Sequence, residues 1–377
     1  MTFQMSGKTK KIAILGATGT TGRLIAGRLS AEGADILLCG RDRTKLEDLA
    51  ASLPRSADTF PVDAREVEDL DELAGDVGVL VNCAGPFSLL GRPVVEAAVK
   101  NRTHYLDITG EQAFIREVVE TRVEPESGTI LVPACAFEYA LADAASILVE
   151  QHLGGLDAIE VVYRFHWVHT SIGTRKSVVC ALGAPALQLV ERKLTPITGG
   201  SVEPWENLKR FPFPGGEVFL IPLHSEVRTI GTYLTGKHPS WCIALASHLA
   251  PAAASVLKES LFKLIESKSQ NPSQTSQEQT GFAIDITGRW KERTARMRIE
   301  GVNPYGLTAA IAARTALLLA QEDRTGVSPA GEARTGSDGA AQDRAGALSP
   351  AMVGGPEAIK EVTEQMGTTW TMKTGAE

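Results

Sequence analysis

Over the first 150 residues, two hydrophobic periods take turns. Short apolar runs, each four or five residues long, fall at Lys11 to Leu15, Ile36 to Cys39, Thr59 to Val62, Val77 to Val81, His104 to Ile108 and Thr129 to Pro133. Between them lie stretches whose apolar residues recur every three or four positions. These cover Arg23 to Ala31, Arg43 to Leu53, Val67 to Leu73, Gly91 to Asn101 with Pro93 in its first turn, and Glu111 to about Val123. Runs buried on both faces, alternating with amphipathic helices, predict a parallel sheet with helical crossovers. The fold class expected is α/β: a doubly wound, parallel Rossmann-type sheet over residues 1–150, with ligands at the carboxyl ends of its strands.

After a helix from Leu141 to Leu153 the pattern changes. Ile159 to Val168 alternates as a strand, and Ser177 to Leu194 reads as helical with a break at Pro185. Phe219 to Leu223, Glu226 to Ile230, Phe282 to Gly288 and Lys291 to Glu300 read as antiparallel strands, with the polar run Ser267 to Thr280 as a loop. Residues 151–302 are therefore expected to form an α+β domain with a mainly antiparallel sheet. Residues 303–321 carry an apolar helix, Leu307 to Gln321, expected to pack back on the first domain. Residues 322–345 are rich in Gly, Ala, Asp and Arg and are read as a disordered linker; 346–377 form a tail with a short helix, Pro356 to Met366.

The sharpest chemical signal is the loop after the first strand, where Gly16, Gly19 and Gly22 punctuate Thr18, Thr20 and Thr21. In strand-turn-helix order such glycines allow a tight turn and close approach of a pyrophosphate, facing the free N–H groups of a helix start. All six residues are assigned to a dinucleotide. The second strand ends in Cys39 and Gly40 without the carboxylate that binds the ribose hydroxyls of NAD; Arg41 and Arg43 follow it, suiting the 2'-phosphate of NADP. Asp63 is placed beside the adenine or, equally, at a helix cap. Cys83, Ala84, Gly85 and Pro86 end the fourth strand with small residues, where the nicotinamide ribose would pass.

A formal charge of -7 and a pI near 5.6 leave no basic face for nucleic acid. Cys39, Cys83, Cys135, Cys180 and Cys242 have neither metal-ligand nor redox-pair spacing and read as free thiols of a reducing compartment. Without a secretory segment or an apolar span of sufficient length, the expected location is cytoplasmic, with no transmembrane segment.

GATGTTGR from Gly16, CGRDR from Cys39, VNCAGPF from Val81, YLDITGE from Tyr105, VPACAFEYALAD from Val132, SIGT with Ser177, and GALSP from Gly346 together resemble the saccharopine dehydrogenase-like NADP-binding oxidoreductases, especially their trans-acting enoyl reductase branch. The resemblance implies NADP(H), a second domain covering the cleft, a homodimer, and reduction of a lipid, polyketide or other biosynthetic intermediate, in some members on a chain held by a separate synthase. True saccharopine enzymes act on carbon-nitrogen bonds instead. Where the family reads Gly-Phe-Asp-Ser-Val-Pro-Ser-Asp, this chain reads AFEYALAD: Phe137 and Asp143 match, Glu138 keeps a longer carboxylate, and Ala136, Tyr139 and Leu141 depart.

Hydride transfer asks the protein for positioning, dryness and often one proton. Tyr139, His166 and His169 are the catalytic candidates; the histidines flank Trp167 and Val168 at a strand end. No metal site is expected. Tyr105 and Tyr139 are followed four residues on by Thr109 and Asp143, so the tyrosine-lysine pair of short-chain dehydrogenases is missing. The expected activity is an NADPH-dependent reductase acting on a carbon-carbon double bond. Alternatives are a C–N oxidoreductase, for which Arg164, Arg175 and Lys176 are the nearby cations, and a non-catalytic nucleotide-binding scaffold.

Overall fold

Six parallel strands open the chain: β1 (Ile12–Leu15), β2 (Ile36–Gly40), β3 (Asp58–Pro61), β4 (Val79–Asn82), β5 (His104–Asp107) and β6 (Ile130–Val132). They lie in the order β3-β2-β1-β4-β5-β6, the doubly wound arrangement. The computed structural model describes residues 10–166, 170–181, 186–197, 202–205, 208–235, 278–321 and 345–375, with isolated positions between 262 and 267. The crossovers are α1 (Thr20–Ala31), α2 (Arg43–Ser52), α3 (Val67–Gly75), α4 (Phe87–Lys100) and α5 (Gln112–Val119), and α6 (Phe137–Leu153) leads out of the domain. β1 shows why its sequence lacks alternation. Ile12 and Ile14 enter one core with Ile25 and Leu29, while Ala13 and Leu15 enter a second with Leu70, Val94 and Phe114. Both faces are dry, so every position is apolar. The register sets Leu15 opposite Cys39 and Asn82, and Asn82 opposite Asp107, which levels the carboxyl ends.

The second domain is built on β7 (Ala158–His166), β8 (Leu187–Val190), β9 (Lys193–Pro196), β10 (Val202–Trp205), β11 (Leu208–Pro212), β12 (Thr229–Thr235), β13 (Gly281–Trp290) and β14 (Arg293–Val302). β7 is central, pairing parallel with β12 and antiparallel with β13; the other pairings are antiparallel among the described residues. Tyr163, Phe165, Ile284 and Ile286 face α6, which packs on β13 and β14. α7 (Ile172–Ala181) and α8 (Glu217–Leu220) are the described helices between β7 and β12. α9 (Pro304–Ala320) packs on α1, β4 and β5 of the first domain, and Lys10 N–H donates to the Ala320 carbonyl at 3.0 Å.

The segment from residue 345 closes both sheets. β15 (Gly346–Ala347) extends the first sheet beyond β6 in parallel, and β16 (Thr369–Gly375) pairs with β14, with α10 (Pro350–Gly354) and α11 (Pro356–Glu364) between them on α6 and α9. The first sheet therefore has seven strands where six are expected; two residues carry no period to read. Phe219 to Leu223, expected as a strand, is the end of α8 and a 3-10 turn, because a short run buried all round has no diagnostic period. Leu187 to Leu194 is β8 and the start of β9 rather than helix. α4 begins at Phe87, four residues before the expected start, so Pro93 lies within it rather than in its first turn. The expected loop at Ser267 to Thr280 and linker at 322–345 lie almost wholly outside the described residues. Among the described residues no helix is long and apolar enough to cross a membrane.

Candidate functional site

The glycine loop is shaped by contacts no side chain would permit. Gly16 sits at φ +79°, and a Cβ there would lie 2.9 Å from the Cys83 carbonyl carbon, so the loops after β1 and β4 touch backbone to backbone. A Cβ on Gly22 would come within 2.4 Å of the Gly16 carbonyl oxygen. Gly22 thus seats α1 against its own loop rather than against the sheet. Gly19 is the N-cap residue of α1 and offers no side-chain cap, so the first N–H groups of the helix, from Thr20, Thr21 and Gly22, stay available to an anion. Thr18 lines the same loop, its carbonyl accepting from the Arg23 guanidinium at 2.9 Å.

Arg41 and Arg43 are exposed just past β2. Asp42 between them is the N-cap of α2, accepting from Lys45 N–H at 3.1 Å. Asp63 follows β3 and accepts from the Arg65 N–H and guanidinium Nε at 3.1 and 3.0 Å. It is not the cap of α3, whose N-cap is Glu66. Arg65, then desolvation in opposition, then Arg41 nearby, leave its carboxyl below the usual range.

Cys83 N–H donates to Leu15 at 2.8 Å, and the Asn82 side chain accepts from Ala84 N–H at 3.0 Å, which fixes Cys83 to Pro86 beside the glycine loop. Gly85-Pro86 is a cis peptide bond. Burial pushes the Cys83 thiol up, which keeps it protonated. Asp107, at the end of β5, accepts from Thr109 and Ala134 N–H groups, both at 2.9 Å; burial outweighs them and raises its carboxyl to about 6. Asp107 thereby braces the ends of β5 and β6.

Deeper in, carboxyls and phenols from both domains meet. Tyr163 on β7 sets its hydroxyl against the Glu217 carboxylate of α8 and 3.3 Å from the Glu138 carbonyl. Glu217 is fully buried, which raises its carboxyl to about 7. Glu138, on the first turn of α6, is half-buried with an oxygen beside Gly110, and desolvation raises it too. Among the described residues no cation pairs with either carboxyl. Tyr139 is buried, and its hydroxyl donates to the Gly110 carbonyl at 3.3 Å. The His166 side chain and all of His169 lie outside the described residues. Of the cations named for the amino-acid alternative, Arg175 donates to Thr170 at 3.1 Å and Lys176 lies 5.5 Å from the centre of the Phe262 ring. A groove of about 410 Å³ between α4 and α5, lined by Arg92, Glu96, Arg116 and Glu117, lies away from these residues.

Tyr163 and Glu217 escaped the sequence reading. Glu217 did leave a trace, as a lone acid between Gly215-Gly216 and an apolar run. Tyr163 left none, being one apolar-run residue among several.

Residues 12–151 match the family model for the saccharopine dehydrogenase NADP binding domain. A lipid droplet localized protein of Caenorhabditis elegans is 26% identical over 245 residues, covering 56% of this chain and 58% of that protein. A trans-acting enoyl reductase of Mycobacterium leprae is 32% identical over 139 residues, 35% of this chain and 33% of that protein. The matches thus span between a third and three-fifths of these curated relatives. The structure of a saccharopine dehydrogenase (L-Glu forming) from Saccharomyces cerevisiae shares the fold, with a TM-score of 0.57 at 14% identity over 97% of this chain and 100% of that one. The likeness to the saccharopine dehydrogenase NADP binding domain thus lies in residues 12–151, the Rossmann-type NADP(H)-binding domain of this chain.

Proposed function

We propose that this protein is an NADPH-dependent oxidoreductase acting at a carbon-nitrogen bond, on a substrate whose nitrogen carries positive charge. The observation that carries the reading is that neither the Glu138 nor the Glu217 carboxyl pairs with a cation among the described residues, while the Tyr163 hydroxyl sits between the Glu217 carboxylate and the Glu138 backbone carbonyl next to the Gly110 loop. A carboxylate at the carboxyl ends of β5 and β6, paired with no cation among the described residues, attracts an amine or iminium and repels an acyl carboxylate. The cofactor supplies or accepts the hydride. Glu138 would hold the substrate nitrogen and take or return its proton, a task suited to a carboxyl raised by burial. Glu217 and Tyr163 would fix the backbone that carries Glu138. Arg41 and Arg43 would bind the 2'-phosphate. The whole-length fold shared with saccharopine dehydrogenase favours this reading over reduction of a carbon-carbon double bond.

That second reading has its own support in the enoyl reductase likeness, which is confined to about a third of the chain. NADPH oxidation, followed against cyclic imines and aldehyde-amine mixtures and separately against enoyl thioesters, decides between them. Turnover of imines that falls sharply in Glu138→Gln is expected. Turnover of enoyl thioesters alone would overturn the proposal, and binding of NADPH without turnover of either would point to the scaffold.

A further inference from the structure

Above the nucleotide loop, a carboxylate links the two domains. Glu111, 2% exposed, accepts from the N–H groups of Phe87 at 2.8 Å and Ser88 at 3.0 Å, capping α4 from the neighbouring loop. Its Oε1 also accepts from the Ser177 hydroxyl, at 2.7 Å, on α7 of the second domain. Ser177 Oγ lies 3.7 Å from where a Gly85 Cβ would be, so α7 passes directly over the loop assigned to the nicotinamide ribose. The other end of α7 is tied down separately, by Ser171 N–H donating to the Tyr305 hydroxyl at 2.7 Å and by Ser171 Oγ capping Thr174 at 3.1 Å.

We propose that Ser177 is a positioning residue that latches α7 onto Glu111 as a roof over the nicotinamide end of the cofactor. The inference rests on the cofactor site proposed above. The geometry separates the latch from the fold. Without the serine hydroxyl, Glu111 keeps both backbone donors and α4 keeps its cap, whereas α7 loses this tie to Glu111. A hydrogen bond to a buried carboxylate shifts the closed-to-open ratio of such a roof by about tenfold. A closed roof keeps water from the hydride path.

Acrylamide quenching of bound NADPH fluorescence tests this on the full chain, with affinity read from the same titration. Ser177→Ala is expected to keep NADPH affinity within roughly twofold while quenching rises severalfold, because the nucleotide contacts remain and only the roof opens. Ser177→Thr, which keeps the hydroxyl, is expected to restore the protection. A Ser177→Ala protein that binds NADPH and quenches like the wild type would overturn the latch alone. A wild-type protein that binds no NADPH would overturn the cofactor site and the latch together.

Discussion

At the scale of single residues, the proposed cofactor site is mostly backbone, and its glycines are expected to be its least replaceable members. Gly22→Ala would drive a methyl to 2.4 Å from the Gly16 oxygen, so α1 must shift away from its loop. NADPH affinity is expected to fall at least tenfold, roughly 1.4 kcal/mol, in a fluorescence titration. Arg41→Ala with Arg43→Ala should act differently, removing charge-assisted bonds to one phosphate. NADPH should weaken about tenfold or more while NADH binding stays level. A parallel loss for both nucleotides would place the 2'-phosphate elsewhere. Glu217 gives a pH prediction of definite sign. Its folded carboxyl, raised from 4.5 to about 7, binds its proton more tightly than the unfolded one. The stability it contributes is complete below the unfolded value and is lost as pH rises through the folded one. Thermal midpoints should therefore decline between about pH 5 and 8, and Glu217→Gln should flatten that slope; equal slopes in both proteins would remove Glu217 as the cause.

Among elements, those with a clear period or a clear break in it were readable from the chain, and those fixed by distant partners were not. β1 to β6 and their helices follow from short apolar runs separated by amphipathic ones, and the β13–β14 pair from two long strand-like runs. α8 did not, since Glu217 to Leu220 is buried on every side and its periodicity says nothing. β16 was missed although Thr369 to Lys373 does alternate, with Trp370 and Met372 half-buried and the residues between them exposed. The close backbone approaches at Gly16 and Gly22 could be read because local geometry dictates them; the meeting of Glu138 with Tyr163 and Glu217 depends on how two sheets pack. α9 shows the packing limit at this scale. Its small residues Ala309, Ala312, Ala313 and Ala316 are buried, and the helix packs closely on α1, α6 and the first sheet. Ala312→Leu should overfill that contact and cost about 1–3 kcal/mol in denaturant unfolding.

For the molecule as a whole, α6 and the segment from residue 345 hold the two sheets together. Asp143 on α6 is fully buried; its carboxylate meets His224 Nε2 at 2.8 Å and accepts Ala351 N–H at 2.8 Å, tying the second domain and α10 to one point. Ending the chain after Gln321 would strip β15 from β6 and β16 from β14, and leave Asp143 short of a donor. The shortened protein is expected to sediment as aggregates rather than as one folded species, since two edges would be bared. The same closure orders events during synthesis. The ribosome releases β6 long before Gly346 exists, so the growing polypeptide must carry an unfinished sheet margin while the whole second domain is made. Neighbouring nascent chains on one messenger could pair through that margin, and output of intact protein should depend on chaperone supply more than the final fold's stability would suggest.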